Sequence, residues 1–575
     1  MARYSPRNFL LLTLSLLFSL FAGHPLDFGT IFLFSCIYVL FKTWGKWPSS
    51  FRYFLPLIVA LLLGSVQLIP TFKLLQNSTR APFSYEFLTN NILIQPSQLI
   101  TLLVPDFFGH PATRNYWPTN SYVGNTLSVG VITLFFAIFA IFNRKKYIKN
   151  KLFFFFLYGA FSTFFLATKN PLSLVLYKIQ IPVLSSIQPT KLLSLFTFSV
   201  SILGGFGINV YMTYKDRLSR QHLSYISLIL ITVLALVLGV VFVPPEYRIV
   251  ALKGSFLAIC MSGSMLVILI TTLQLNKFRK LTLIILTILL IGELYYSFQK
   301  FNPFVARSFV FPPAPILEYL KNTAGINRIW GYGTAKIDSN IATQYGLYSP
   351  DGFDALNLKW YNEFTRLSLE GEFVDKFTHE TRSVAEIAPG YGELDLPDNE
   401  FRLRILDTLG VKYILDRVEN PKNNETFPTS RFKLVWEDQA GWKVYENLLS
   451  APRFFLTNKV IPYSTPEEFK QQFFAGDFDP RIMILIENNN SAYPLCSDTE
   501  QKNASIILQN YEPISITFEI NTNCPTYLFL SDVFDENWKV IIDNNLSTIH
   551  RANYSFRGVY IPADTKKVEF SYSLF

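Results

Sequence analysis

LTLIILTILLIGELYYSFQKFNPFVARSFVFPPAP, residues 281–315, separates two parts of the chain that differ in character. The stretch begins with an apolar run over 281–297, close to the length of about 20 apolar residues that a membrane-spanning helix needs. It ends with Pro312, Pro313 and Pro315, which interrupt regular structure and mark a hinge. The stretch therefore predicts a last membrane span that is followed by a soluble region.

The charges divide the chain at the same place. Residues 1–300 contain 25 Lys and Arg but only 6 Asp and Glu, a net charge of +19, whereas residues 301–575 have a net charge of −10. Hydrophobic residues make up 50% of the chain and charged residues 16%, below the roughly 25% of soluble domains. These values argue against one soluble domain. Nucleic-acid binding is disfavoured, because the basic residues punctuate apolar runs instead of forming one patch.

Nine apolar runs predict a polytopic α-helical membrane bundle with about nine spans. The first run follows two arginines, as in a signal peptide, but residues 21–24, FAGH, form a poor cleavage site, so a retained anchor is favoured. Residues 172–187 could add a re-entrant or interfacial segment. The nine runs cover residues 8–22, 27–41, 53–72, 124–142, 152–168, 190–212, 223–243, 251–273 and 281–297.

The distribution of Lys and Arg between the loops predicts the orientation of this bundle. With the N-terminus inside, the inner segments carry 16 positive residues and the outer segments carry 8 over a greater length. Nine spans then place the large C-terminal region outside. We therefore expect a multi-pass protein of the cytoplasmic (plasma) membrane, with the lipid bilayer as its first partner.

Four parts are expected in all: a membrane domain over 1–300, a hinge over 301–312 and two extracytoplasmic domains. Short apolar runs with turn residues between them indicate an α+β domain over 313–495. Closely spaced β-rich runs indicate a C-terminal β-sandwich over 496–575. Cys496 and Cys524 are candidates for a disulfide, which an oxidising exterior permits. Free thiols remain the alternative, because the sequence does not show the distance between the two Cα atoms.

Motifs for common enzyme classes are absent from the sequence. It has no Walker-type phosphate loop, no CxxC, no HExxH and no nucleophile elbow, and its five histidines lack metal-ligand spacing. An ATP-driven pump, a metalloenzyme and a serine hydrolase are therefore disfavoured.

Polar residues in the apolar half are more informative, because their burial is costly. His24 and Asp27 lie in the tight loop between the first two runs and offer proton-transfer groups, although a helix-capping Asp is the simpler interpretation. Glu293 lies late in the ninth run, where an interfacial or paired structural carboxylate is the simpler interpretation.

The longest outer loop, 73–123, is too long for a simple connector, and such loops are commonly functional. It contains Arg80, Asp106, His110 and Arg114. Cations on the outer face could hold a lipid phosphate, with Arg favoured for bidentate contact. For each single residue, charge at a wet interface is the alternative.

Elements along nearly the whole chain resemble the YfhO family of bacterial multi-span membrane proteins. The resemblance depends on their order more than on any single element. In chain order they are Gly23-His24-Pro25, Leu68-Ile69-Pro70, Ser78-Thr79-Arg80, residues 103–109 (LVPDFFG), Tyr122-Val123-Gly124, residues 340–342, 345–347, 352–354, 409–413, 444–447 and 451–453, and then Asn537-Trp538, residues 551–554, 556–559 and 561–563.

The resemblance implies a relation to the GT-C integral-membrane glycosyltransferases, which transfer a sugar from a polyprenyl-phosphate carrier outside the membrane. It implies an envelope glycan such as lipoteichoic acid as the acceptor. An extracytoplasmic carboxylate would act as general base or position a divalent metal, the one cofactor that the resemblance suggests. The expected catalytic residues are Asp27, Asp106 and His24. The expected lipid-phosphate or substrate-binding residues are Arg80, Arg114, Lys191, Gln188 and His110.

The chain departs from the family pattern in two places. Family members have further spans before the Gly-His-Pro element, and GT-C enzymes carry acidic residues in the loop after the first span, whereas this chain starts just ahead of Gly23. We therefore expect a fragment, half of a split gene whose missing spans a partner chain supplies, or a derivative without catalysis. The Arg-Pro-x-Arg element before the sixth span reads Gln188-Pro189-Thr190-Lys191, with one cation replaced by an amide.

These features are compatible with three functions, which make different predictions. A GT-C-like transferase predicts that Arg80, Asp106, Lys191 or Asp27 line one cavity with the long outer loop. A non-catalytic envelope protein, which binds glycan or a partner subunit, predicts no convergent carboxylates in a membrane-level cavity. A transporter ranks last, because neither an inverted repeat nor an intramembrane chain of charges is visible.

Overall fold

Two compact units make up the chain in the computed structural model. The first comprises Met1–Gln67 and Pro82–Val305, and the second comprises Leu68–Ala81 and Ala306–Phe575. The division after Val305 lies within the expected hinge, whereas nothing in the sequence indicates that Leu68–Ala81 belongs to the second unit. The structure describes residues 5–44, 51–80, 82–179, 188–213, 220–274, 279–302, 304–378, 381–388, 390, 396–417, 419, 423–487, 494–501 and 503–573.

The first unit is helical, and local capping decides where its first two helices begin. The Ser5 side chain accepts the backbone N–H of Asn8, and His24 Nδ1 accepts that of Asp27. Gly23, with φ at 93°, turns the chain between the two helices. In chain order the described helices of at least eight residues are α1 (Pro6–Phe21), α2 (Pro25–Thr43), α3 (Leu55–Gln76), α4 (Val131–Phe142), α5 (Lys151–Ala167), α6 (Pro171–Lys178), α7 (Leu193–Thr213), α8 (Arg220–Val241), α9 (Arg248–Gln274) and α10 (Arg279–Phe301).

Several of these helices are consistent with a membrane protein. Within the described residues, five are long and apolar enough to cross a membrane. Helix α4 has 12 residues, which rise about 18 Å against the roughly 30 Å of a hydrocarbon core. The expectation of about nine spans is therefore not confirmed. The five long stretches are Pro25–Thr43, Leu55–Gln76, Pro189–Thr213, Pro245–Ile268 and Lys280–Phe301.

Parts of two sequence predictions fall on residues outside the described ranges. The first part of the expected re-entrant segment forms helix α6, and its residues 180–187 lie outside those ranges. Among the cations expected on the inner side, Arg3, Lys46, Lys215, Arg217 and Lys277 lie outside them as well. The orientation of the bundle stays a prediction.

The second unit joins the end of helix α3 to the C-terminal region through backbone hydrogen bonds. Thr79 donates its N–H to the carbonyl oxygen of Asn357 at 3.0 Å, and Lys359 donates to that of Asn77 at 2.9 Å. Four further helices of at least eight residues follow along the described chain: α11 (Pro315–Thr323), α12 (Lys359–Glu370), α13 (Glu400–Thr408) and α14 (Pro466–Phe473).

The C-terminal region is rich in β-sheet, as predicted. One sheet has four strands in the order β1-β4-β6-β5, one has five in the order β10-β11-β17-β13-β14, and one has six in the order β7-β12-β16-β15-β9-β8, while β2 pairs with β3. The strands are β1 (Arg328–Gly331), β2 (Gly352–Phe353), β3 (Val384–Ala385), β4 (Val411–Arg417), β5 (Phe432–Glu437), β6 (Trp442–Asn447), β7 (Phe454–Thr457), β8 (Lys459–Tyr463), β9 (Met483–Glu487), β10 (Ser505–Glu512), β11 (Ser515–Asn521), β12 (Thr526–Val533), β13 (Trp538–Ile542), β14 (Asn545–Ser547), β15 (Ile549–Ala552), β16 (Phe556–Ile561) and β17 (Lys567–Tyr572).

The six-stranded sheet crosses the boundary that the sequence suggests at residues 495 and 496. Strands β7, β8 and β9 precede this boundary, yet β7 pairs with β12, and β9 pairs with β15. The five-stranded and six-stranded sheets share one hydrophobic cluster, to which Phe518 contributes from the first and Leu528 from the second. A disulfide joins Cys496 to Cys524, whose Cα atoms lie 5.3 Å apart.

A buried carboxyl group makes the stability of the second unit depend on pH. Asp351 is 7% exposed, and its Oδ1 accepts the backbone N–H of Ile387 at 2.9 Å. Burial raises the pKa of Asp351 to about 7. The unfolded chain loses this proton near pH 4 but the folded chain keeps it, so this group lowers the free energy of unfolding as the pH rises from about 4 to 7.

We expect Asp351→Asn to remove this dependence, because the amide stays neutral and its oxygen can still accept from Ile387. In the wild type the slope should be close to ~1.4 kcal/mol per pH unit at its steepest. This slope is measured by chemical unfolding of the full-length protein at several pH values, with hydrogen exchange of amides in the second unit as the readout. Equal slopes in the two proteins would contradict the assignment to Asp351.

Candidate active site

A turn over residues 103–110, LVPDFFGH, carries the candidate site. Phe107 donates its backbone N–H to Val104 at 3.2 Å, and Gly109 donates to Asp106 at 3.0 Å. Gly109 has φ at 84°, and a Cβ there would overlap the carbonyl group of Asn115, so the turn requires glycine. The turn brings Asp106 and His110 to the same cavity.

The Asp106 carboxylate has a partner on each oxygen. Its Oδ2 lies 2.5 Å from Nζ of Lys300, in the last turn of helix α10, and its Oδ1 accepts the hydroxyl of Tyr122 at 2.7 Å. The two charged side chains are 15% and 22% exposed, so water screens them little. Burial, and then the bond to Asp106, raise the pKa of Tyr122, which therefore stays a proton donor.

His110 is a buried neutral imidazole beside this ion pair. It is 3% exposed, and its ring lies 4.7 Å from that of Tyr122 in an edge-on arrangement. Burial lowers the pKa of His110, the nearby Asp106 opposes this shift, and Lys300 adds to it. Nδ1 accepts the backbone N–H of Ala112 at 3.0 Å. The neutral ring therefore carries its proton on Nε2.

The cavity at this turn lies within the first unit and has a volume of about 210 Å³. Helices α9 and α10 form its other walls. Its polar lining combines two carboxylates, two ammonium groups and an imidazole with smaller polar groups: Asp106, His110, Thr113, Asn115, Lys253, Glu293, Tyr296, Ser297 and Lys300.

Glu293 contributes the second carboxylate from helix α10. Its Oε1 accepts the backbone N–H of Val131 at 2.8 Å, at the first residue of helix α4. A carboxylate at a helix N-terminus is stabilised by the unpaired N–H groups and by the helix dipole. Its Oε2 is buried and has no hydrogen-bond partner within the part of the chain that the structure describes.

The close approach of helix α9 to the turn depends on Gly254. A Cβ built on Gly254 would overlap the carbonyl oxygen of Asp106 and lie 2.9 Å from its carbonyl carbon. Because both atoms belong to the backbone, neither can rotate away as a side chain could. Gly254 therefore allows the turn to lie against the helix and sets the position of Asp106.

The donor set at Asp106 does not fit a divalent metal ion. One oxygen lies against an ammonium group, whose positive charge would repel a metal ion there, and the other accepts a phenol hydroxyl. No group of three or more His, Cys, Asp and Glu side chains suited to a metal occurs among the described residues.

Three other predicted residues lie together in a separate, exposed cluster. Asp27 Oδ2 lies 3.3 Å from His24 Nδ1 and 3.7 Å from Lys191 Nζ. Their side chains are 47%, 50% and 35% exposed, so water screens the charges. His24 caps helix α2, and Asp27 lies in its first turn. The simpler interpretation, in which Asp27 caps the helix, is therefore wrong, because His24 is the capping residue.

The remaining predicted residues lie apart from the cavity lining. Gln188 is exposed and begins the turn Pro189–Leu192. Arg114 is exposed and ends the turn Pro111–Thr113 with φ at 53°. Arg80 belongs to the second unit, where burial lowers its pKa.

The transferase hypothesis predicts that Arg80, Asp106, Lys191 or Asp27 line one cavity with the long outer loop, and of these four only Asp106 lines it, together with His110 of that loop. Asp27, Lys191 and Arg80 are not among the residues that line it. Sequence reasoning did not select Lys300, Lys253 or Tyr122 for this site. Tyr122 belongs to one of the family-like elements, and a lysine ending an apolar run, such as Lys300, was the available signal.

The glutamate in the last apolar run was a stronger sequence signal for this cavity than the lysine that ends the run. Glu293 was singled out from the sequence and lines the cavity, with one oxygen in the structural role of capping helix α4.

The chain was also compared with known proteins. No protein-family model matches it, and no curated protein or solved structure gives a significant match.

Proposed function

We propose that the protein is a membrane enzyme that transfers a sugar from a polyprenyl-phosphate carrier to an envelope polymer. In this proposal about nine helices span the plasma membrane, the N-terminus lies inside, and the C-terminal β-sandwich lies outside. The disulfide between Cys496 and Cys524 supports an oxidising compartment for that region.

The observation that carries the proposal is the set of groups at one small cavity. Such a transfer needs a carboxylate to receive a proton and cations to bind a phosphate. Asp106 supplies the first, and Lys300 and Lys253 supply the second. The competing envelope-binding function predicts no convergent carboxylates in a cavity, whereas Asp106 and Glu293 line the same one.

The reaction assigns one role to each group. The acceptor hydroxyl oxygen bonds to the anomeric carbon, and the bond from that carbon to the phosphate oxygen breaks. The hydroxyl proton passes to Asp106, and the polyprenyl phosphate leaves with the bonding electrons. Lys300 and Lys253 balance the charge on the leaving phosphate. His110 donates from Nε2 to an oxygen of the substrate, because its Nδ1 is already an acceptor.

The ion pair links donor binding to the availability of the carboxylate. In the protein alone, Lys300 lies against Asp106 Oδ2. A phosphate that binds Lys300 competes for this ammonium group, so Oδ2 is free to accept a hydrogen bond from the acceptor hydroxyl once the donor is in place. Tyr122 keeps the carboxylate oriented through the exchange.

We expect Asp106→Asn to lower the transfer at least about 100-fold, the scale on which general bases act. The measurement compares the envelope glycans of a deletion strain carrying the wild-type gene, Asp106→Asn or no gene, at matched protein levels. Asp27→Asn is the matched control, since it neutralises a predicted carboxylate outside the cavity. It should restore the glycan fully.

Two results would contradict the proposal. Glycans that are the same with and without the gene would exclude the transferase function. Restoration by Asp106→Asn together with failure of Asp27→Asn would assign the reaction to the exposed His24 cluster instead.

A further inference from the structure

The second unit carries exposed apolar side chains close to the point where the chain enters it. Monomeric soluble proteins rarely expose large contiguous apolar patches, and such patches mark sites that contact proteins or membranes. We call the following five residues, which are between 40% and 74% exposed, the apolar face: Phe309, Val310, Phe311, Ile341 and Phe353.

The first three members are joined to Ile341 by contacts of a tyrosine. The ring of Phe311 lies 6.2 Å from the ring of Tyr345. The Tyr345 hydroxyl donates to the carbonyl oxygen of Pro312 at 3.1 Å. Tyr345 ends a short turn that begins directly after Ile341. These residues therefore lie side by side on the surface of the second unit.

The apolar face continues through Phe353 to the end of helix α3. Asn340 donates its side-chain N–H to the carbonyl oxygen of Phe353 at 2.6 Å and accepts the backbone N–H of Phe353 at 3.1 Å. Four residues further on, Asn357 accepts the backbone N–H of Thr79 at 3.0 Å. Thr79 follows Gln76, the last residue of helix α3, by three residues, which span no more than about 11 Å.

Two candidate membrane spans therefore lead directly to the apolar face. Helix α3 is one, and Lys280–Phe301 is the other. Phe309 follows Phe301 by eight residues, which cover about 28 Å at most when fully extended. Because both spans lead into the same compact unit, their ends lie on the same side of a membrane that both cross. The surface of that membrane is then within reach of the apolar face.

The charges beside the apolar face indicate what kind of surface it contacts. Within four residues of its members along the chain, the exposed charged side chains are Arg307, Asp338 and Asp354. One positive and two negative groups do not attract anionic headgroups or an acidic protein. The apolar side chains themselves must then supply the binding energy.

We propose that the apolar face inserts into the interfacial layer of the lipid bilayer and makes the lipid surface a binding partner of the second unit. Apolar faces of interfacial segments enter about 5–10 Å into the boundary between headgroups and acyl chains. This inference goes beyond the proposed function, since it needs the membrane spans but not the transfer of a sugar.

Spin labelling of the full-length protein in lipid nanodiscs tests the contact. Cys36→Ala and Cys260→Ala remove the two free thiols, and the disulfide is retained. A label is then attached through Phe309→Cys or Phe353→Cys, both at exposed positions where folding is not at risk. Oxygen concentrates in lipid and a nickel chelate stays in water. We therefore expect oxygen to relax both labels more strongly than the chelate does.

Leu546→Cys is the matched control. Leu546 lies on strand β14 of the same unit, outside the apolar face, and it is 74% exposed, as is Phe309. A label there should be relaxed more strongly by the nickel chelate than by oxygen.

A second set of variants tests whether the apolar side chains cause the contact. With the label at Ile341→Cys, the combined changes Phe309→Asp and Phe353→Asp should turn a lipid-like response into a water-like one, because charged groups resist insertion. Leu546→Asp should leave the response lipid-like. High salt should leave it unchanged as well, since apolar insertion is not screened by ions.

Two results would overturn the inference. Labels at Phe309 and Phe353 that respond like the one at Leu546 would place the apolar face in water. Labels that are protected from both reagents would show that a second copy, or another part of the protein, covers the face. Should one of the two labelled variants fail to fold, the other decides.

The membrane contact and the transferase function can fail separately. Water-exposed labels together with glycans that depend on the gene would remove only the membrane contact. Lipid-exposed labels together with glycans that do not depend on the gene would remove only the transferase function.

Discussion

Gly254→Ala should abolish the proposed sugar transfer while the protein still folds. The added methyl group would overlap the backbone carbonyl of Asp106, so the turn must move away from helix α9. A displacement of about 1 Å at a reacting group can cost about 100-fold in rate. We therefore expect a loss at least as large as that of Asp106→Asn. The glycan complementation described above measures it, with protein levels compared in isolated membranes.

Gly263→Ala on the same helix is the matched control. A Cβ at Gly263 would have no neighbour within 4 Å, and alanine favours a helix over glycine by about 1 kcal/mol. This variant should keep wild-type glycans. If Gly254→Ala keeps them too, the position of Asp106 does not depend on this contact and the proposed site loses its support.

Asp532→Asn should destabilise the second unit by about 3–5 kcal/mol, the usual cost of removing one partner from a buried ion pair. Asp532 is 9% exposed, and its Oδ1 lies 2.8 Å from Nη2 of Arg453 and 3.4 Å from that of Arg328. Tyr511 donates its hydroxyl to the same carboxylate. Neutralising the carboxylate leaves two buried guanidinium groups without their counter-charge.

The pKa of Asp532 determines how the stabilisation from its carboxylate changes with pH. Burial would raise the pKa, but Arg453, Arg328 and Arg557 outweigh it and hold the value below the usual range. The carboxylate therefore stabilises the fold above the ordinary pKa of an aspartate, and this contribution is lost as the pH falls below it. Asp532→Asn should remove the acid sensitivity that comes from this group.

Hydrogen exchange in the full-length protein measures this loss, with the amides of β12 and β16 as reporters. Asp564→Asn is the control, since Asp564 is exposed and has φ at 62°, a conformation that asparagine tolerates. Protection should fall about 100-fold or more in Asp532→Asn and stay unchanged in the control. Unchanged protection in both variants would show that the arginines find other partners.

Local patterns in the sequence were enough to predict individual strands. The alternation of apolar and polar residues in Val568–Tyr572 is typical of a half-buried strand, and the structure has the strand Lys567–Tyr572, in which Val568 and Phe570 are buried. The pairing of strands was harder, because β7 and β12 are joined by hydrogen bonds across about 70 residues. A domain boundary drawn from turn residues cannot detect such a pairing. Helix α4, with 12 residues, shows the same limit, since hydropathy finds a run but not the length of its helix.

The candidate site could be predicted only in part, because local sequence patterns do not show contacts between distant residues. Asp106 and His110 were found because a long polar loop between apolar runs is conspicuous. Lys300 lies 194 residues from Asp106 along the chain, and nothing in the local sequence links the two. A lysine at the end of an apolar helix is ordinarily read as a side chain that reaches the interface. The contact depends on how helix α10 packs, which only the tertiary structure determines.

The six-stranded sheet also imposes an order on biosynthesis. Strands β7 and β9 are made early, but their partners β12 and β15 lie downstream, with the last strand of the sheet, β16, ending at Ile561. Until the ribosome has passed that residue, β7 and β9 have open edges that can pair with other chains. A pause or premature stop between residues 487 and 526 would therefore yield a nascent chain that aggregates or needs a chaperone.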